Sequence, residues 1–565
     1  MRYCLLVFFV IAVTGMRDIS AKSYILNGGQ KSKIKYRLLQ LVEPSPGNVK
    51  NVRLTFVQPQ SFSSPTYNQQ IVHRSIRFSI PPAKLDSSVD KNGNSLITYT
   101  WLESKKPFSV EMNVTAKNSV SLKKISSKAP FPMKDIPKEV RRYLTATAMV
   151  PAQDKAIKEL SGRLVKGAKT EFDAVQKILT WLIDHMHYVL TPQKYDALYS
   201  LQSGKGNCQN YSHLAAALMR AGGIPVRIAN GITMKKPYDV IIGGSVLTLD
   251  MAQGRHSWIE VYFSDLGWVP FDPQQTELFV SNRFIRIEVG IDNEESSNDG
   301  LVRWTRVKGR PATLSFHEKI EAEFLTDDVS ITGTRQKYGP RDILLRPAVE
   351  AAFVPVVVAE LPEPVKMDLK ELLKLSFTVP YTKGNIEFPE GLNLAFVRES
   401  RTAEQEETQV LTKNFLVETA EYVTGASQFA QAFVLDKPLQ LQKIGIALSK
   451  FGGKGMLWVE LREDNNNSPG QIGAKSSPVN LEQLSSKPGY FWVDFDFSSK
   501  KTFLTPDHYW ITLGYSGTPI VNWFYTYGKT IGPVDGTRSR DKGEAEWKRS
   551  FSFEFNYRIA GQAAR

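Results

Sequence analysis

The stretch GKGNCQNYSHLAAALMRAGGIPVRIANG, Gly204 to Gly231, decides how this chain is read. Two glycines precede a cysteine, and an alanine-rich run follows with Leu214 and Leu218 on one face. That spacing predicts a helix from Cys208 to Ala221. Gly222-Gly223 ends it, since glycine tolerates the left-handed conformation of a helix C-cap. Ile224 to Asn230 then reads as a strand. Cys208 falls at the helix start, where unpaired backbone N–H groups favour negative charge on sulfur. The same groups can hold the oxyanion of a tetrahedral intermediate. Gly204 and Gly206 permit a tight turn and leave room for a substrate chain to approach.

Upstream, Thr170-Glu-Phe-Asp173 is a capping box. Phe172, Val175, Leu179, Leu182 and Met186 follow it at helical spacing. His185 and His187 stand two apart on this predicted helix and point to different faces, so they read as ordinary helix residues rather than joint metal ligands. Downstream, His256 to Phe263 and Trp268 to Asp272 read as strands around the turn Ser264-Asp-Leu-Gly267. Alternate residues of a strand share a face, which aligns Trp268, Pro270 and Asp272. An odd hairpin loop puts Asp272 on the face of His256, and an even loop turns it away. Gly267 permits a bulged odd loop without forcing one.

A reactive thiol needs a base, and the base needs an orienting partner. The chain has seven histidines. His73, His317 and His508 lie outside the helix-bearing region, and His213 is on the Cys208 helix but points elsewhere. His256 remains, beside Trp258. Each feature alone has a bland reading: a core cysteine among alanines, a packed strand histidine, an aspartate in a turn before proline. Together they form a candidate site for chemistry.

The blocks Gly206-Asn-Cys-Gln-Asn-Tyr211, Leu218-Met-Arg-Ala-Gly-Gly-Ile-Pro-Val-Arg227, His256-Ser-Trp-Ile-Glu-Val-Tyr262 and Gly267-Trp-Val-Pro-Phe-Asp-Pro273 resemble the bacterial transglutaminase-like family of papain-like cysteine enzymes. The resemblance covers about residues 140 to 290 in detail. It implies a Cys-His-Asp triad at Cys208, His256 and Asp272. The implied reaction is acyl transfer or hydrolysis at an amide through a thioester, with no cofactor and no metal. Asn210 and Ser212 stand where many relatives carry Asp and Ala. Gln202, six residues before Cys208, has the spacing of the oxyanion glutamine of papain-type enzymes, though a plain loop residue is the simpler reading.

The flanks are read from pattern and composition. Arg2, the apolar run Cys4 to Thr14 and Ser20-Ala21 have the order of an export signal, too short to span a bilayer. Cys4 would leave with it, so Cys208 would be the lone thiol of an exported chain. Ser32–Leu39, Val52–Val57 and Leu96–Trp101 alternate as short strands separated by turns, as in a β-sandwich. From about Ser427 the chain is β-rich again and holds five of the ten tryptophans. Most tryptophans in alternating strands are core, but an exposed group could stack on sugar rings.

The expected architecture is multidomain α+β. A signal (1–21) precedes an N-terminal β-sandwich (22–135) and a papain-like transglutaminase-core domain (136–300). A mixed linking region (301–425) and a C-terminal jelly-roll-like β-sandwich (426–565) follow. The chain has 565 residues, 42% hydrophobic and 23% charged, an ordinary globular balance. The net charge of +14 comes from lysines spread along the chain, with no nucleic-acid motif among them. The expected partner is a protein or peptide substrate, such as a cell-envelope peptide, with carbohydrate contact assigned to the C-terminal module. The expected location is periplasm, cell surface or medium, with no membrane span once the signal is removed. The competing expectation is a non-catalytic envelope or carbohydrate-binding protein that uses the papain-like domain as scaffold.

Overall fold

The structure, a computed structural model, describes residues 23–565 apart from 46–48, 243–244, 275–276, 308–311, 337–343, 352–363, 386–397, 404–407, 414–416, 419, 488, 528–535, 548 and 552. The export signal read over 1–21 lies outside the described residues. Among those described, no helix is long and apolar enough to cross a membrane.

The first part of the chain is built of strands, among them β1 (Ser23–Pro44), β2 (Val49–Gln58), β3 (Ser95–Leu102) and β4 (Phe108–Ser121). β4 buries every second residue along most of its length, the mark of a sheet with one covered face. It pairs antiparallel with β1, Val114 opposite Tyr36. β2 pairs with β3 in a second sheet, Val52 opposite Trp101.

Next comes the helix-bearing domain. Its helices include α1 (Glu171–His185), α2 (Ala197–Ser203) and α3 (Cys208–Ala221). Thr170 caps α1 by accepting from the Asp173 N–H at 3.2 Å, as the capping pattern predicts. Four of the strands that follow, β5 (Val226–Thr233), β6 (Gln253–Phe263), β7 (Gly267–Phe271) and β8 (Phe284–Gly290), lie in one sheet in the order β7-β6-β5-β8. Ile178 and Leu182 of α1, Leu214 and Leu218 of α3, Ile228 of β5 and Ile259 of β6 share one core. Truncating any of these to alanine should cost about 2–5 kcal/mol.

The chain then returns to its first sheets. β9 (Leu301–Arg306) pairs with β2, Trp304 opposite Val52, and β10 (Leu314–Gln336) pairs with β1 along its length, from Pro44 opposite Leu314 to Ser23 opposite Gln336. Residues assigned from the sequence to a linking region thus supply two strands beside β1 and β2. The two sheets share one core, with Tyr36, Leu54, Met112, Val302, Trp304 and Phe316 all buried in it.

Beyond residue 426 the sheet that holds β1 and β10 continues and faces a second sheet. Ser427–Leu435, Gly455–Asp464 and Asp507–Gly517 belong to one, and Leu439–Gly452, Ile520–Tyr527 and Tyr557–Ala564 to the other. Phe433, Leu457 and Ile511 from the first and Leu441, Trp523 and Ile559 from the second meet in a common core. Ala447, Tyr490 and Phe524 join the core of the helix-bearing domain instead, so the C-terminal region packs directly on it. Trp510 and Trp523 are fully buried. Trp458, Trp492 and Trp547 are partly exposed, each under its own cation: Lys475, Arg558 and Arg540. Trp458 and Trp492 lie on different sheets, so they do not share one flat patch.

Candidate active site

Asn207 is the N-cap of α3. Its Oδ1 accepts from the Gln209 N–H at 3.1 Å, and its own N–H donates to Asn210 Oδ1 at 3.2 Å, a reciprocal capping box. Asn210 Nδ2 ties the box to Ser200 Oγ of α2 at 2.9 Å. Gly204 ends α2 at φ 64°, in the left-handed region that favours glycine. Gly206 is needed for a different reason: a Cβ there would lie 2.2 Å from Asn210 Cβ. The space predicted to admit a substrate is filled by the capping side chain. Cys208, fully buried, is the first residue of the helix.

The other half of the site comes from the sheet. β6 and β7 close on Phe263 opposite Gly267, leaving the three-residue loop Ser264–Leu266, with Gly267 at φ 70°. The loop is odd. Phe271 pairs with Ile259, so the next residue, Asp272, falls level with Trp258 and on the face of His256. His256 Nε2 donates to Asp272 Oδ2 at 2.6 Å, and both side chains are fully buried. The Gln274 N–H holds Asp272 Oδ1 at 3.0 Å. Trp258 and Phe284 flank the imidazole, with ring centroids 6.1 and 5.5 Å away.

Burial is the strongest influence on His256 and opposes its charged form. The Asp272 carboxylate, through its charge and hydrogen bond, and then Cys208 outweigh it and push His256 up to about 10. The ring therefore feels both partners: Nε2 faces Asp272, and Nδ1 makes no conventional hydrogen bond. Such an arrangement can take a proton from a thiol and keep it as an imidazolium beside a carboxylate.

Gly231 lies opposite His256 on β5. A Cβ there would sit 2.0 Å from the Ile285 carbonyl oxygen and 2.7 Å from the Trp258 ring. Gly231→Ala is therefore expected to destabilise by about 3 kcal/mol, because the obstacle is backbone. Urea unfolding checks it, and a loss under 1 kcal/mol (about a third of that) would mean the strands shift freely.

The remaining histidines have other surroundings. His185 stacks on Trp181 at the end of α1. His187 is not on that helix, as the sequence reading had it, but on a two-residue strand beside Lys205. His213 faces the Tyr195 carbonyl at 2.7 Å through Nδ1 and accepts from the Asn293 N–H at 3.2 Å through Nε2. Gln202 is exposed and lies within α2, not in a loop. Among the described residues no cluster of His, Cys, Asp and Glu could hold a metal.

Sequence reasoning missed two neighbours. Glu277 is buried with the Tyr238 hydroxyl donating to it, and burial first, then the charge of Asp272, push it up to about 7. Arg255, next to His256, bonds Asp299 and both carboxylate oxygens of Glu318. No local pattern marks either residue, because their partners lie far away in sequence or on another strand.

Cys208 at a helix start, His256 on a strand and the buried Asp272 all lie within one matched stretch of the chain. Residues 158–273 match the family model described as the Transglutaminase-like superfamily. The protein YebA of Bacillus subtilis (strain 168) is 24% identical over 140 residues, which is 23% of this chain and 19% of YebA. The chain spans 19% to 54% of the length of the curated relatives it matches. A solved structure of a candidate cysteine protease from Cytophaga hutchinsonii aligns at 17% identity with a TM-score of 0.40, covering 54% of this chain and 94% of that one. The periplasmic domain of TgpA from Pseudomonas aeruginosa aligns at 15% identity with a TM-score of 0.23, covering 40% and 88%.

Proposed function

We propose that this protein is an exported cysteine enzyme that performs acyl transfer or hydrolysis at an amide of a protein or peptide, within a transglutaminase-like domain flanked by β-sandwiches. The observation that carries the reading is the fully buried His256–Asp272 bond, set by the odd hairpin loop and interacting with Cys208. His256 takes the Cys208 proton, and sulfur attacks the amide carbonyl carbon. The C–N bond then breaks as His256 returns the proton to the leaving amine, giving a thioester. Water as the second nucleophile makes a peptidase or amidase, and a primary amine makes a cross-linking enzyme. Because Cys208 is fully buried, substrate reaches it only when the covering groups part.

Iodoacetamide labelling at neutral pH tests the pairing. Cys208 is expected to alkylate at least about tenfold faster in the wild type than in His256→Ala. Equal rates in the two proteins would defeat the enzyme reading in favour of a scaffold. Incorporation of cadaverine into a glutamine peptide, against release of ammonia alone, then separates amine from water as acceptor.

A further inference from the structure

An acyl-transfer site needs donors for the oxygen that becomes negative when sulfur attacks. The papain-type spacing offers Gln202, but its side chain is exposed on α2 while Cys208 is fully buried. A side-chain donor must therefore come from elsewhere. Buried polar groups are almost always hydrogen-bonded, so buried atoms without partners are informative. Among the described residues, such atoms next to the thiol in the chain, on its helix or on its paired histidine include Asn207 Nδ2, Ser212 Oγ and His256 Nδ1. His256 is assigned the proton transfer. Ser212 lies one helical turn beyond Cys208, beneath the thiol rather than ahead of the helix.

We propose that Asn207 Nδ2 is the side-chain donor of the oxyanion site, acting with the backbone N–H of Cys208. Asn207 is 1% exposed. Its Oδ1 is committed to the Gln209 N–H, which fixes the planar amide at the helix start and leaves two N–H bonds on Nδ2. A buried amide N–H₂ left unpaired is costly, and a carbonyl oxygen turning negative at the helix start would satisfy it. As the S–C bond forms, the carbonyl π pair moves onto oxygen, and Asn207 and the helix-start N–H groups hold that charge. When the C–N bond breaks, the pair returns and the donors are released. The inference rests on the proposed acyl transfer and names a further residue of it.

An aldehyde separates this role from others. Cys208 adds to acetamidoacetaldehyde to give a hemithioacetal whose oxygen occupies the oxyanion site, whereas alkylation by iodoacetamide places no oxyanion there. The aldehyde's affinity is read as protection of Cys208 from alkylation. In Asn207→Ser, which keeps an N-cap acceptor, the aldehyde is expected to bind at least about tenfold more weakly, with the alkylation rate changed less than about threefold. Asn207→Thr, which also keeps an N-cap acceptor and adds no charge beside the thiol, should behave alike and serves if the serine variant fails to fold by circular dichroism. Unchanged aldehyde affinity, an equal fall in both readouts, or no protection of the wild type would overturn the proposal. Failure of the acyl-transfer reading looks different: wild type and His256→Ala would alkylate at equal rates.

Discussion

Asp272→Asn is expected to lower turnover of an amide substrate by about 10³- to 10⁴-fold while the chain stays folded. Asp272 Oδ2 accepts from His256 Nε2 at 2.6 Å with no solvent near either group. That bond keeps the proton on Nε2 and leaves Nδ1 for the thiol. An amide can donate as well as accept, so the ring loses its enforced tautomer, and the carboxylate charge that opposes desolvation is gone. The pH dependence gives a second check. His256 in the folded protein is pushed up to about 10, above its unfolded value of about 6.5. A group raised by folding contributes stability that is fully present below the unfolded value and is lost as pH rises through the folded one. The stability difference between wild type and Asp272→Asn should therefore be largest below about pH 6.5 and disappear above about pH 10. Urea unfolding at pH 6, 8 and 10.5 reads it. A difference that grows with pH would contradict the assigned pair.

The hairpin shows how far the sequence carried the site. Alternation placed Asp272 on the same face as Trp268 and Pro270, but only the loop length could place it toward His256. Gly267 left both outcomes open, and the three-residue loop decided. The helix start was equally legible, because the glycine pairs and the alanine run are local signals. What those glycines do was not: Gly206 makes room for Asn210, a contact that spacing cannot state. β10 lies in the stretch read only as linking strands and loops, and its length and pairing were not legible. Its residues Leu314 to Gln336 are rich in charge, and only scattered positions are buried, so no apolar stripe announces a strand. Its partner β1 lies almost 300 residues earlier, and strand pairing across that distance leaves no periodic trace. The unpaired Nδ2 of Asn207 was likewise invisible, since an N-cap asparagine reads as fully explained by its cap.

Arg255→Ala should remove about 3–5 kcal/mol of stability, although Arg255 touches no member of the triad through its side chain. Its guanidinium is 8% exposed, bonds Asp299, and grips Glu318 of β10 at 2.8 and 2.7 Å. Glu288 lies nearby, pushed up to about 8 by burial and then by Asp299. Removing the cation leaves these carboxyl groups to face one another with little water, and breaking one side of a buried pair costs more than the pair contributes. The calorimetric transition that includes this domain should fall by roughly 10 °C. Arg255→Met separates charge from bulk: it keeps much of the volume, so a similar fall would assign the loss to the unpaired carboxylates. A fall under about 2 °C in both variants would mean that water enters and screens the cluster. The effect should extend to the thiol. Arg255 is the residue before His256, and its bonds to Glu318 tie β6 to β10 and, through β10, to β1. Loosening that tie lets the imidazole wander from Asp272, so Cys208 alkylation should slow in Arg255→Met even below its melting transition.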